Sequence, residues 1–321
     1  MSATPEPPYR CTAASVLRDE PALGSASTVR AFLLVEHPGP WGTDALRDAR
    51  LPDGLGDRLR AVSARTGVRV LLVRRPGARP AARGARDARG ARDDSGAGGA
   101  HRVFAAYAHP DRPTLETGAV TDLHDVLDLD LAGLRAGRGA GLADPAPDTT
   151  LFCVCTHGRH DACCAERGRP VAAALARAHP EETWEVSHIG GDRFAANLLV
   201  LPHGLYYGRL DPVSALSVAG SHLAGELDLD HLRGRSGLAM AVQAAEISLR
   251  RDLAETRGDA VRLLTRRVVE DVTEAVFDVA GARYAVRVRS GPGAVTHRLT
   301  CRATRANPAL EHTLLDVTRV P

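Results

Sequence analysis

The stretch FCVCTHGRHDACC, residues 152–164, runs from apolar residues into a polar loop with one glycine and on to two adjacent cysteines. Taken with Thr150 and Leu151, it reads as a strand ending on Cys155, then a loop, then the approach to a helix. The next segments keep that kind of order. RPVAAALARAH (169–179) is expected to be a helix with Pro170 in its first turn, where a proline loses no hydrogen bond. TWEVSH (183–188), NLLVLP (197–202) and LYYGRL (205–210) read as strands, with His203 and Gly204 at a hairpin turn. DPVSALSVAGSHLAG (211–225) is a helix opened by Asp211 and Pro212.

The residues before this half repeat the pattern. AFLLVE (31–36) is a strand, DRLRAVSARTG (57–67) a helix, and VRVLLVRR (68–75), RVFAAYA (102–108) and TLETGAV (114–120) are strands. A helix capped by Thr121 is expected over TDLHDVLDLDLAGLRAG. Both halves read strand, helix, strand, strand, strand, helix. The expectation is an α/β protein with tandem thioredoxin-like domains, over 21–140 and 150–227, each a mixed sheet covered by helices. Periodicity alone accepts other small α/β sandwiches as well.

The remaining segments have other compositions. Residues 1–20 are polar and proline-rich, expected as a flexible tail, and the Arg-, Ala- and Gly-rich stretch 76–100 as a disordered insertion. Residues 136–150 read as a linker, and 228–261 as a helical segment. Within the latter, apolar residues at 242, 245, 249 and 253 mark one helix face. Alternating runs from 262 to 321, around an Ala280–Gly281 turn, make a small antiparallel β unit.

Composition narrows the function classes. The chain of 321 residues is 44% apolar and 25% charged, with a net charge of +2, which is no argument for nucleic acid, membrane or acidic partners. All 41 basic residues are arginines, a bias read as genomic base composition. The N-terminus lacks a signal-peptide pattern and no apolar run reaches membrane-spanning length, so a cytoplasmic protein is expected. Of the six cysteines, four fall at 153, 155, 163 and 164, a cluster that suits a metal or redox site better than a disulfide framework.

Cys155 and Cys164 flank the first loop, and HIGGDRFAAN (188–197) puts His188 and Asp192 on a turn at the end of the next strand. In a sheet of the expected kind the two loops are neighbours, so Cys155, Cys164, His188 and Asp192 would converge. Thiolates suit iron–sulfur clusters, zinc and copper(I), and imidazole suits zinc, copper, iron and nickel. Gly190 and Gly191 are expected to bring backbone N–H groups close to a bound cluster, where a Cβ would hold them off.

The motifs CTHGRHDACC, HIGGDRFAAN and LVLPHGLYYG resemble the sucrase/ferredoxin-like family, as do the weaker pieces EHPGPWG (36–42), LLVRRPG (71–77) and RGRSG with QAAE (233–246). The resemblance implies a thioredoxin-like 2Fe-2S ferredoxin similar to bis-histidinyl members, which hold the cluster by two cysteines and the two histidines of a His-x-Gly-Gly-His turn. Carried over, these fall on Cys155, Cys164 and His188. The fourth position departs from the pattern, because Asp192 stands there. Cys153, Cys163, His157, His160 and His203 are alternative fourth ligands. No acid pair is placed for glycoside hydrolysis, so the sucrase half of the family name implies nothing here.

Each residue also has a plainer reading. Cys153 and Cys163 are expected as buried small apolar residues, Cys11 and Cys301 as inert thiols outside the cluster, and Asp192 as a turn former. His157, His160 and His203 read as polar loop residues or partners of the ligands, and Arg193, Arg233 and Arg235 as solvated-surface or helix-end residues rather than a lining of the cluster mouth. The first half has no cysteine in its equivalent loop and is read as a metal-free scaffold, with Trp41 packing. An electron carrier working with a redox partner protein, reductase or acceptor, is the leading expectation. A thiol-disulfide oxidoreductase and a zinc-binding or metal-free structural protein are the rivals, although no Cys-x-x-Cys is present.

Overall fold

The computed structural model describes residues 8–77, 99–146 and 149–321. The first seven residues of the expected tail and most of the expected insertion lie outside the described residues. The chain begins with α1 (Cys11–Leu17), β1 (Ala31–Glu36), a short α2 (Ala45–Asp48), α3 (Leu55–Thr66) and β2 (Arg69–Arg74). It continues through β3 (His101–Tyr107), β4 (Thr114–Val120), a short α4 (Leu131–Arg135) and the two-residue β5 (Asp144–Pro145). The second half holds β6 (Leu151–Cys155), α5 (Ala162–Ala178), β7 (Thr183–Val186), β8 (Leu198–Leu201), β9 (Leu205–Tyr207), α6 (Pro212–Leu223) and β10 (Leu232–Arg235). α7 (Met240–Leu253) leads to β11 (Val261–Val269), β12 (Val272–Val279), β13 (Ala282–His297) and β14 (Asn307–Val320).

The first ten strands form one mixed sheet in the order β10-β9-β8-β6-β7-β2-β1-β3-β4-β5, in which the two-residue β5 only extends the edge of a nine-strand body. Each half repeats one pairing scheme. β1 pairs parallel with β2 and antiparallel with β3, and β3 pairs antiparallel with β4. Likewise β6 pairs parallel with β7 and antiparallel with β8, and β8 with β9. The halves join where β2 and β7 pair antiparallel, Val73 opposite Val186. Glu36 pairs with Val73 and Cys155 with Val186, so these two residues hold equivalent places at the ends of β1 and β6.

Burial follows that topology. β1 and β6 are near-continuous apolar runs because central strands bury both faces. One face of the sheet packs into a core shared by both halves, including Phe32, Leu71, Phe104, Cys153, Trp184 and Leu199. On the other face, Leu55 and Leu59 of α3 with Leu131 and Leu134 of α4 cover the first half. Val171 and Leu175 of α5 with Ala215 and Val218 of α6 cover the second. The four-stranded antiparallel sheet β11-β12-β13-β14 follows, and Val242, Ala245 and Leu249 of α7 pack on it as their spacing predicts. Its Ala280–Gly281 turn has φ of 51° and 83°, the left-handed pair a tight hairpin needs. Among the described residues, no helix is long and apolar enough to cross a membrane.

Four local readings change. α5 starts at Ala162, two turns before Pro170, because the Asp161 side chain caps it by accepting from the Cys163 N–H; Pro170 sits inside the helix. The helix expected after Thr121 is a 3-10 turn over Leu123–Leu127 capped by Asp122, and then α4 capped by Asp130. Closely spaced aspartates that hydrogen-bond the backbone break one helix into two capped turns. Residues 8–20, read as a loose tail, carry α1, held by the buried side chains of Cys11 and Ser15. Leu232–Arg235, inside the segment read as helical, forms β10 at the sheet edge, paired with β9.

Candidate metal centre

The end of β6 and the N-terminus of α5 supply Cys155 and Cys164, and the turn after β7 supplies His188 and Asp192. One donor atom each from Cys155, Cys164 and His188 lie within 4.8 Å of one another, as do donor atoms of His160, His188 and Asp192. Cys164 Sγ donates to Asp192 Oδ1 at 3.1 Å, and His188 Nδ1 is 3.0 Å from the same oxygen. The two loops therefore meet as their order in the sequence predicts, and Asp192 bridges them. Gly168 permits the close packing of α5: a Cβ there would stand 2.1 Å from the Cys155 carbonyl oxygen.

Charge is concentrated in this small volume. Hydrogen bonding from the Cys164 thiol, followed by the nearby His188, holds Cys155 well below the usual thiol range despite its burial. Cys164 is pushed up, first by Cys155 and then by burial and the Asp192 carboxylate. Burial lowers the His188 pKa, but the Asp192 and Cys155 partners outweigh it and bring it up to about 9. Burial raises Asp192, yet His188 and Cys164 outweigh it and hold the carboxyl below its usual value. Two thiols, an imidazole and a carboxylate are thus packed together, and a metal would displace the protons that they share.

Buried His188 Nδ1 lies 3.0 Å from Asp192 Oδ1, an ionic contact that is off the line of a hydrogen bond. A buried ring nitrogen left without a hydrogen bond, beside two thiols and a carboxylate, fits a metal ligand.

The turn carrying His188 is braced from outside. Arg69 Nη2 donates to the His188 carbonyl at 2.8 Å, and Ser27 Oγ to that of Ile189 at 3.0 Å. Arg233 Nη1 donates to the Gly190 carbonyl at 3.1 Å, and Asn197 Nδ2 to that of Gly191 at 2.8 Å. Arg233 also donates to Asn197 Oδ1 at 2.8 Å and to the Ser25 carbonyl at 2.6 Å. Arg233 is fully buried and Arg235 is 5% exposed, which corrects their reading as solvated surface. Arg235 pairs instead with buried Glu246 at 3.0 Å. Arg193 is also largely covered, and its guanidinium bonds Glu20 at 2.6 Å.

These contacts give the glycines another reason. Gly190 and Gly191 have φ of 99° and 80°, and a Cβ on Gly191 would stand 2.2 Å from the Arg233 guanidinium. At Gly190 it would meet Ser27 Oγ at 2.7 Å. The pair makes a left-handed turn with room for Arg233, and the close approach seen is to that side chain.

The neighbouring histidines differ in role. His157 Nδ1 accepts the His188 backbone N–H at 3.2 Å, so its Nε2 carries the proton and donates to the Gly42 carbonyl at 2.9 Å. The His160 ring stacks on His188 with centroids 3.7 Å apart, and its Nε2 is 3.9 Å from Asp192 Oδ2. His203 is elsewhere, beside His222 with ring centroids 4.9 Å apart. Cys153 is buried in the shared core, as expected. Cys163 is buried too, but its thiol faces Cys11 and Cys301 rather than apolar carbon alone. Cys11 and Cys301, read as inert thiols, lie outside the Cys155–Cys164 group, but they face Cys163.

No curated protein and no solved structure matches the chain. The family model described as Sucrase/ferredoxin-like matches residues 22–234, a span that contains both loops, the braced turn and Arg233, and the chain belongs to that family.

Proposed function

We propose that Cys155, Cys164, His188 and Asp192 hold a 2Fe-2S cluster and that the protein is a one-electron carrier between a reductase and an acceptor. The observation that carries this reading is the meeting of two thiols and an imidazole nitrogen of His188 within 4.8 Å, with the Asp192 carboxylate 3.1 Å from Cys164 Sγ. When bound, the cluster supplies a reversible one-electron couple. The chain's own residues shape that couple. His188 is about a quarter exposed, so its ring can exchange a proton with solvent as the charge of the site changes. Cys155 and Cys164 are at most 1% exposed, which keeps the thiols dry. A thioredoxin-like origin for each half is part of the same proposal, supported by the repeated pairing scheme.

Anaerobic purification followed by iron and acid-labile sulfide analysis, with EPR after reduction, tests the proposal. Two irons and two sulfides per chain and a rhombic signal are expected. A colourless, iron-free protein overturns it. The spacing supports a second reading, one tetrahedral zinc ion, whose ligand atoms would lie roughly 3.3–3.8 Å apart given bonds of about 2.0–2.3 Å. Zinc without iron or sulfide, lost in Cys155→Ser, would select that reading.

A further inference from the structure

A second group of donors lies behind the first helical turn of α5. Cys11 begins α1, Asp161 caps α5, Cys163 follows in its first turn, and Cys301 lies in the loop between β13 and β14. Their three sulfurs and one carboxylate oxygen all lie within 4.8 Å of one another. Cys163 Sγ is 3.4 Å and Cys11 Sγ 3.5 Å from Cys301 Sγ, and Cys11 Sγ is 3.7 Å from both Asp161 oxygens. Cys11, Cys163 and Asp161 are at most 1% exposed.

We propose that Cys11, Cys163, Cys301 and Asp161 form a structural zinc site that fastens the N-terminal helix and the C-terminal sheet to the start of α5. Three thiolates and a carboxylate are a complete tetrahedral donor set, and closed four-ligand sites are the structural kind. The spacing agrees: sulfurs on one zinc at bonds of about 2.3 Å stand roughly 3.8 Å apart. The backbone already orients the donors. Asp161 accepts from the Cys163 N–H at 2.9 Å and the Cys301 N–H at 2.7 Å, while the Cys11 N–H donates to Cys301 Sγ at 3.4 Å. Thr12 Oγ1 donates to Cys163 Sγ at 2.6 Å, the kind of outer hydrogen bond that steadies a ligating sulfur. Asp161 is buried and, among the described residues, has no arginine or histidine within ion-pair distance, so beyond its backbone N–H donors a cation is the partner its charge lacks. Cys11 and Cys301 fall outside the residues matched by the family model and Asp161 and Cys163 within them, and the group shares no donor with the proposed cluster site.

The test is elemental analysis of the intact chain with iron, sulfide and zinc measured on one sample. One zinc per chain is expected in the wild type, lost in Cys11→Ser and Cys301→Ser and kept in Cys155→Ser. If a serine variant does not fold, chelator-dependent alkylation of Cys11, Cys163 and Cys301 in the native wild type decides between this group and the Cys155–Cys164 group. Cys11, Cys163 and Cys301 should resist alkylation until a chelator is added, and cobalt(II) added to stripped protein should give a thiolate-to-cobalt charge-transfer band that alkylation of Cys301 removes. A wild type that holds no zinc and no cobalt overturns the proposal. So does zinc that leaves with Cys155→Ser, or a disulfide among the three cysteines in anaerobically prepared protein.

Discussion

The two halves of the large sheet share a pairing scheme but differ at one strand end. β1 finishes on Glu36 and β6 on Cys155, opposite Val73 and Val186 of two strands that themselves pair. The next residue in each half, His37 or Thr156, donates its N–H to the carbonyl of that same valine, at 2.8 and 3.3 Å. From there the loops diverge. The second-half loop presents thiols. The first-half loop turns toward the second and grips its histidines: the Gly42 carbonyl accepts from His157, the Thr43 carbonyl is 3.2 Å from His160 Nδ1, and Trp41 meets the His157 ring edge-on at 5.7 Å. The first half is thus more than an empty copy. Its loop covers the site that the second half builds.

If the proposed cluster is bound, the contrast breaks at once should Cys155→Ser or Cys164→Ser retain iron. Both variants should lose the centre entirely by metal analysis, while Glu36→Gln, at the matching place, keeps a full complement. Asp192→His would sharpen it: replacing an anionic donor by an imidazole should raise the reduction potential on the order of 100 mV in protein-film voltammetry. Arg233→Met leaves the carbonyls of Ser25 and Gly190 without their donor and should cost about 3 kcal/mol in chemical unfolding, with weaker metal retention.

Acid should loosen the second half selectively. His222 packs on Phe152 and His203, and burial first, then His203 and Arg235, lower its pKa to about 4. The unfolded chain takes up the proton near pH 6.5 and the folded chain does not, so stability is lost as the pH falls from 6.5 to 4. A loss on the order of 2 kcal/mol, discounted for partial exposure, should appear in urea titrations and shrink in His222→Phe. The smallest effect is expected for Trp41→Phe, which loses the indole donation to the His37 carbonyl at 3.0 Å. About 1 kcal/mol and a small change in the EPR line shape are expected, since His157 would be held less firmly.

What could be read in advance was local. The strand order of both halves follows from apolar runs and turn residues, and the meeting of Cys155, Cys164, His188 and Asp192 follows from two short loops at neighbouring strand ends. The start of α5 was obscured because Pro170 offers a plausible first turn, while the true cap, Asp161, sits among polar loop residues. Arg233 carries no local sign of burial: its partners Ser25 and Asn197 are 208 and 36 residues away. The same holds for Cys11 and Cys301, separated by 290 positions and brought together only by the packing of α1 and the β13–β14 loop on α5. Cys163 and Cys164 mislead in the opposite way. They look like a redox pair, but successive helical residues point about 100° apart, and each thiol joins a different group.

The β2–β7 seam has a consequence for synthesis on the ribosome. The first half emerges with the β2 edge awaiting a partner that is translated more than a hundred residues later, and exposed strand edges invite pairing with other chains. Cys11 waits longer still for Cys301. The β13–β14 loop is therefore needed to complete a contact that α1 begins, so a chain stalled before Cys301 would have its large sheet assembled but α1 unfastened from that loop.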